Sequence, residues 1–449
     1  MNFYAQRYLD GLDGAFIKEK EESPEKSAEK LPEKLLTNLP QNKKRQVIPA
    51  RTSRSERIYL VTGGSGFIGS WIVRYLLLRG ETNVVILDSR QPPTDLTKHG
   101  AQFRKLNIAD KEQLNEAVLS ELSTSPYEDI VVYHCAAVVK YHHADDRSFQ
   151  SAVSDYNIKL AQSIIDTFSM NDSIKVPVAL INFSDLIAYK HSVSWWKFWD
   201  HATWLQYMPD NINELRPTTF ISNYARSKYE ATELLHEVGR DTSSSFSVST
   251  LIPGNFVSGH LGDTLLSPVI YYGGGLLHNW SIPFNLIHVE DVAQAALCLE
   301  NRLTSTEISS RELVQGQKFV IANEANVTTT AYIYSKIRSL RPFKTVRNSP
   351  ALVWGVSWLA YLVLHMYQRI SGSRLMTTSK RLDSLLSGTP VTYTPSRFNT
   401  LQVAQLINGS DVARAQMVLQ YSPLYTVDDI VESLVDEHKF QLDKKGQIY

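Results

Sequence analysis

Residues 57–88 read RIYLVTGGSGFIGSWIVRYLLLRGETNVVILD. The run opens with six residues of apolar, strand-forming character, passes through GGSGFIG, continues in a helical pattern to Gly80, and ends in a second apolar run, Asn83–Asp88. Strand, glycine turn, helix and strand in that order make one βαβ unit. Gly63, Gly66 and Gly69 set a G-x-x-G-x-x-G spacing at the turn. Glycines there let backbone N–H groups approach a pyrophosphate, with the positive end of the next helix, at Phe67 and Ile68, facing it. Asp88 stands nineteen residues past Gly69, at the tip of the second strand. A carboxylate in that place suits the ribose hydroxyls of an NAD-type dinucleotide and repels a 2′-phosphate. Arg90, two residues on, keeps NADP as the alternative.

Outward from this unit the alternation continues. Apolar runs at 130–137 (IVVYHCAA), 176–183 (VPVALINF) and 246–252 (FSVSTLI) are predicted strands, and 152–168 and 224–238 are predicted helices. Continuous apolar strands separated by helices indicate a parallel sheet covered on both faces, in an α/β doubly wound arrangement. Past about residue 255 the pattern becomes irregular, as where a chain builds a substrate lobe over the carboxyl edge of a sheet. Three regions are expected: a charged tail over 1–56, a dinucleotide-binding domain over 57–255, and a smaller C-terminal substrate lobe over 256–449 from which some elements return to the sheet.

NYARSKYEA, residues 223–231, carries Tyr224 and Lys228 on one helical face. An ordinary tyrosine ionises near pH ~10, too high for a base at neutral pH. A neighbouring ammonium stabilises the phenolate and brings it towards the working range. Y-x-x-x-K alone is common by chance. Downstream of a glycine-rich βαβ unit it points to a catalytic pair with the tyrosine as base.

TGGSGFIG, HCAA at the end of the fourth strand, Asn157 in the following helix and YARSK occur in that order. The chain resembles an extended short-chain dehydrogenase/reductase with a Rossmann fold. FNLIHVEDVAQAALCLE, residues 284–300, is similar to a stretch of the 3β-hydroxysteroid dehydrogenase family, which includes the decarboxylating sterol-4α-carboxylate 3-dehydrogenases. The resemblance spans roughly residues 57 to 370. It implies an NAD(P)-dependent oxidoreductase in which Tyr224 takes the proton of a secondary alcohol while Lys228 holds the nicotinamide ribose. It implies cofactor contacts at Gly63, Gly66, Phe67, Ile68, Gly69, Asp88, Ala136, Asn157 and Lys228. A carboxylate beside the new ketone makes a β-keto acid, which loses carbon dioxide readily. Another extended reductase, an epimerase and a cofactor-binding scaffold without turnover are the competing readings.

Three positions depart from the family pattern. The family holds the substrate oxygen with the second residue of a serine pair; here INFSDLIAY puts Ser184 at the first and Asp185 at the second. A hydroxyl both donates and accepts, whereas an ionised carboxylate only accepts. Either Ser184 takes the role through a local bulge, or Asp185 is protonated, or activity is impaired; of these, Ser184 as the third catalytic residue is the expectation. Leu251-Ile252-Pro253 stands where the family has arginine before proline, and Asn107 replaces an aspartate near the adenine.

The rest of the sequence bounds the setting. Lys plus Arg is 46 and Asp plus Glu is 46, a balance that argues against a polyanion binder and gives no reason to expect nucleic acid as a partner. Two cysteines, Cys135 and Cys298, cannot build a disulfide framework or a structural zinc site, and both are expected as buried thiols. Lys18–Lys34 (KEKEESPEKSAEKLPEK) can bury no core. MNFYAQRYLDGLDG lacks the apolar core of a secretory signal, so an intracellular protein is expected. His142, His143, Asp145 and Asp146 form a polar loop, and no metal is expected. Trp195, Trp196, Trp199 and Trp204 lie in a long insertion between Ser184 and Tyr224, suiting a flat hydrophobic substrate. Residues 351–367 are apolar, too short to span, and basic on both flanks, from Arg338, Arg341, Lys344 and Arg347 to Arg369, Arg374, Lys380 and Arg381. A helix lying in an anionic membrane face and a buried helix of the C-terminal lobe both fit this pattern. The resemblance to the steroid family implies peripheral or monotopic attachment to the cytosolic face of the endoplasmic reticulum, with a cytoplasmic protein as the alternative.

Overall fold

The computed structural model describes residues 47–51, 56–137, 150–189, 205–207, 211–220, 223–240, 245–277, 283–347, 404–406 and 409–444. The four tryptophans of the insertion, the His142–Asp146 loop, segment 351–367 and residues 1–46 lie outside these. Seven strands form the central sheet: β1 (Arg57–Thr62), β2 (Val84–Asp88), β3 (Gln102–Lys105), β4 (Asp129–His134), β5 (Val178–Phe183), β6 (Phe246–Pro253) and β7 (Lys318–Ile321). Their order is β7-β6-β5-β4-β1-β2-β3, and every pairing is parallel. The order reverses between β1 and β4, which is where a doubly wound sheet opens its ligand crevice.

Alternation along each strand divides the core into two layers. Tyr59, Val61, Val84, Ile86, Val131 and Tyr133 face α1 (Phe67–Leu78), while Ile58, Leu60, Val85, Leu87, Ile130 and Val132 face α2 (Lys111–Leu122), α3 (Gln150–Phe168) and α4 (Asn223–Gly239). Both layers are fully buried, so these strands read as unbroken apolar runs. The edges are β3 (QFRK), which has no such run and is largely exposed, and β7 (KFVI), a short one that is buried.

The chain beyond residue 255 divides between two places. Helix α5 (Val289–Leu303) packs on the β1/α1 layer, and β7 extends the sheet beside β6. A second core gathers Leu266, Ile270, Leu286, Ile333, Ile337, Tyr425, Ile430 and Leu434 from α6 (Thr330–Leu340), α8 (Val427–Lys444) and neighbouring segments. Helix α7 (Gly409–Leu419) returns to the sheet, burying Ala415 and Leu419 in the first layer. The tail also ends sooner than its charge pattern predicts. Ile48 packs on the first core layer, and the carbonyls of Val47 and Ala50 accept from Gln294 and Asn301 of α5. One apolar side chain and two backbone acceptors suffice to dock residues 47–51. Among the described residues, no helix is long and apolar enough to cross a membrane.

Candidate active site

Gly63 lies in the left-handed region at φ +70°, and a Cβ there would meet the Ala136 backbone N at 2.7 Å. A Cβ on Gly69 would sit 2.4 Å from the Gly63 carbonyl oxygen. The two glycines thus pack the turn against the end of β4 and against the first turn of α1, leaving a cradle that no larger residue permits. Gly66 is the N-cap of α1 and has no side chain to cap it. The first-turn amides, at Phe67 and Ile68, are thereby left to an external anion. Asp88, buried at the tip of β2, accepts from the backbone N–H groups of Ser65 at 3.1 Å and Arg90 at 3.0 Å. A carboxylate has capacity for further donors beyond these two, so ribose hydroxyls can still be held. The Arg90 guanidinium stands 3.9 Å from the same carboxylate.

Across the crevice, α4 starts near the carboxyl end of β5. Tyr224 and Lys228 lie one turn apart, as the sequence spacing predicts, and both are buried. Lys228 Nζ donates to the Phe183 carbonyl at 2.8 Å. Burial pulls the Lys228 ammonium below its ordinary range, and the Asp185 carboxylate opposes that shift. Asn157 of α3 donates to the Ser227 hydroxyl at 3.0 Å, which donates in turn to the Tyr224 carbonyl at 2.8 Å. This ties α3 to the turn of α4 carrying the pair. His134 shares a 2.8 Å hydrogen bond with Thr62, and burial together with Lys228 pushes its imidazole down to about 3. Cys135 is half-buried rather than buried, because it sits at the open end of β4.

Ser184 and Asp185 have different partners in the structure. The Tyr224 hydroxyl donates to Asp185 Oδ2 at 3.2 Å, so Asp185 occupies the place beside the phenol. Ser184 still belongs to the strand: its N–H donates to the Leu251 carbonyl, and its hydroxyl lies 3.0 Å from Thr232 Oγ1 in a buried network. Thr232 has one proton, which the Lys228 carbonyl at 2.8 Å can only accept, and its oxygen takes the Ser184 hydroxyl. Asp185 follows where the strand ends. Its Oδ1 accepts from the Ile187 N–H at 3.0 Å, capping the short turn Leu186–Tyr189, and the cap turns Oδ2 towards α4. No bulge brings Ser184 round, because the strand ladder holds it in register.

One cluster escaped the sequence reading. His260, His288 and Glu290 are buried with ligand-type atoms within 4.8 Å of one another. Glu290 accepts from the Tyr75 and Tyr425 hydroxyls, both at 2.9 Å, and its second oxygen lies 3.4 Å from His260 Nε2. His288 Nδ1 accepts from the Glu290 N–H at 3.2 Å, capping α5. Burial pushes this imidazole down to about 3, so it is neutral and its one lone pair is spent on the cap. The cluster is built to start a helix, not to cage a cation.

The family described as NAD dependent epimerase/dehydratase matches residues 59–309. Vestitone reductase of Medicago sativa is 24% identical over 255 residues, covering 53% of this chain and 71% of that protein. Among solved structures, UDP-glucuronic acid 4-epimerase from Bacillus cereus, in complex with UDP-glucuronic acid and NAD, superposes with a TM-score of 0.54. It is 16% identical, with 85% of this chain and 99% of that chain covered. UDP-glucose 4-epimerase from Thermotoga maritima, with UDP-glucose, gives a TM-score of 0.53 at 16% identity, covering 85% and 98%. At such identities these two structures bear on the fold alone.

Proposed function

We propose that this chain, which belongs to the NAD dependent epimerase/dehydratase family, oxidises a secondary alcohol on a small hydrophobic substrate. The cofactor is NAD, and the glycine cradle with the Asp88 carboxylate fits it. A 3β-hydroxysteroid or sterol-4-carboxylate is the substrate class we propose, on the sequence likeness of residues 284–300 and the tryptophan-rich insertion.

The observation carrying this reading is the Tyr224/Lys228 pair, buried on one face of α4 at the carboxyl end of β5. When bound, NAD takes hydride from the carbinol carbon. The chain's own residues manage the proton. Tyr224 presents its phenolic oxygen to the alcohol, and Lys228, anchored on Phe183, places its ammonium one turn away. The buried neutral His134 beneath adds no competing charge. With a 4-carboxylate on the substrate, the ketone so formed loses carbon dioxide without a dedicated residue.

Membrane attachment through 351–367 at the cytosolic face of the endoplasmic reticulum belongs to the same proposal, supported by the apolar run and its basic flanks. A reduction of a small polycyclic ketone is the second reading, favoured by the likeness to vestitone reductase. Purified protein with NAD and a panel of 3β-hydroxysterols, including a 4α-carboxysterol, is expected to form NADH. Tyr224→Phe is expected to lower that rate by at least about 10²-fold while NAD still binds. An epimerase would interconvert sugar nucleotides without accumulating NADH. Turnover surviving in Tyr224→Phe would remove the proposed role of the phenol.

A further inference from the structure

The Tyr224 hydroxyl has one proton, and in this structure it points at a carboxylate. A serine at position 185 could donate to a substrate oxygen, whereas an ionised carboxylate cannot. The consequence concerns where the substrate's proton goes. We propose that Asp185 is its terminal acceptor, with Tyr224 relaying it. This inference rests on the alcohol-oxidising reading above.

The geometry supplies each step. With its proton directed to Asp185 Oδ2, the phenolic oxygen keeps the capacity to accept from an alcohol. As the carbinol carbon gives up hydride to NAD, the alcohol O–H bond breaks and its proton joins Tyr224 Oη. The Tyr224 proton passes to Asp185 in the same motion. The products are ketone, NADH, neutral Tyr224 and a protonated Asp185. Asp185 is half-exposed, unlike buried Tyr224 and Lys228, so solvent can carry the proton away. No free phenolate need persist, which matters because a phenolate beside a carboxylate is disfavoured. In reduction the same path runs backwards: Asp185 returns its proton to Tyr224, which donates to the ketone oxygen. Among the described residues, the charged and titratable groups facing this pair are Lys228 on α4 and, at the end of β4, Cys135 and His134, which both face Lys228.

The structural alternative is that Asp185 only caps the turn Leu186–Tyr189 through Oδ1. Asp185→Ser and Asp185→Asn both keep a capping oxygen and remove the acceptor, so they separate the two roles. Oxidation rates of the full-length protein are to be measured from pH 4 to 9, with circular dichroism and NAD binding as folding controls. Wild type is expected to lose oxidation at the acid end. In both variants that acid limb should vanish, and kcat for oxidation at pH 7 should fall at least about tenfold. Unchanged kcat and limb in both folded variants would leave Asp185 a cap and overturn the relay.

A second readout needs no turnover and so survives failure of the oxidoreductase reading. Tyrosinate absorbance, taken as wild type minus Tyr224→Phe, reports Tyr224 alone. The same difference in an Asp185→Asn background is expected to titrate at lower pH, because a negative neighbour has been removed. Coincident titrations would sink the proposal whatever the substrate.

Discussion

At the scale of single residues, the site depends on where protons and lone pairs point. Asp88 shows this on the cofactor side. Two backbone N–H groups already orient its carboxylate, one from the glycine turn and one from Arg90, so the group meets a ribose preorganised. Asp88→Ala is expected to weaken NAD about tenfold, equivalent to ~1.4 kcal/mol, and to narrow the preference against NADP. Fluorescence titration with both nucleotides checks this; an unchanged NAD affinity would move the ribose away from β2. Asp185 shows the same dependence on the substrate side. Its neighbour Ser184 differs by one position in the chain, yet the end of the strand ladder sends the two side chains to separate partners, Thr232 and Tyr224.

At the scale of elements, a buried carboxylate fastens α5 to the sheet. Glu300 is fully buried and accepts from Arg57 Nη1 at 2.7 Å, Arg79 Nη2 at 2.8 Å, the Tyr59 hydroxyl at 3.2 Å and the Tyr133 hydroxyl at 2.6 Å. Those partners come from β1, the end of α1 and β4. Glu300→Ala leaves two arginines and two phenols facing a void, and is expected to cost about 3–5 kcal/mol. Chemical denaturation reads that loss; a change below about 1 kcal/mol would mean water takes over the carboxylate's bonds. The same network explains why the chain past residue 255 is not an independent body: its helix α5 is bonded into the sheet. Glutamate on an otherwise apolar helix face looks, in the sequence, like an exposed position. Its four partners come from segments up to 243 residues away, a separation no local pattern reveals.

For the molecule as a whole, buried neutral histidines predict acid lability. His134, His236 and His288 are each pushed down to about 3 by burial. In the unfolded chain they take up protons near pH ~6.5. The folded state refuses those protons until about pH 3, so the unfolded state binds more of them between these values. Stability is therefore intact above pH ~6.5 and falls as pH drops towards 3, by up to ~1.4 kcal/mol per pH unit for each histidine. Glu290, held down at about 2 by the hydrogen bond from His260 and the neighbouring imidazoles against the opposing effect of burial, adds to the loss at the acid end. Melting temperatures at pH 7.5, 6, 5 and 4 should decline progressively. His236→Gln, which can still bond Thr250 and the Gly316 carbonyl, should flatten the slope by one proton's share. A melting temperature constant from pH 7.5 to 4.5 would show that these imidazoles are not held neutral.

The βαβ unit, the glycine cradle, Asp88 and the Tyr224/Lys228 pair were legible from the sequence because each depends on short-range spacing: glycines three apart, a carboxylate at a strand tip, two side chains one helical turn apart. Unbroken apolar strands separated by helices likewise announced a sheet buried on both faces. The edge strands β3 and β7, the anchoring of residues 47–51, the Glu300 clamp and the His260–His288–Glu290 cap were decided only by the tertiary structure. Each joins segments distant in the chain, and burial there turns on partners rather than on the residue's own polarity. The choice between Ser184 and Asp185 was of this second kind. A one-residue step at the end of a strand sends a side chain to another partner, and only the ladder bond from Ser184 to Leu251 fixed which residue meets Tyr224.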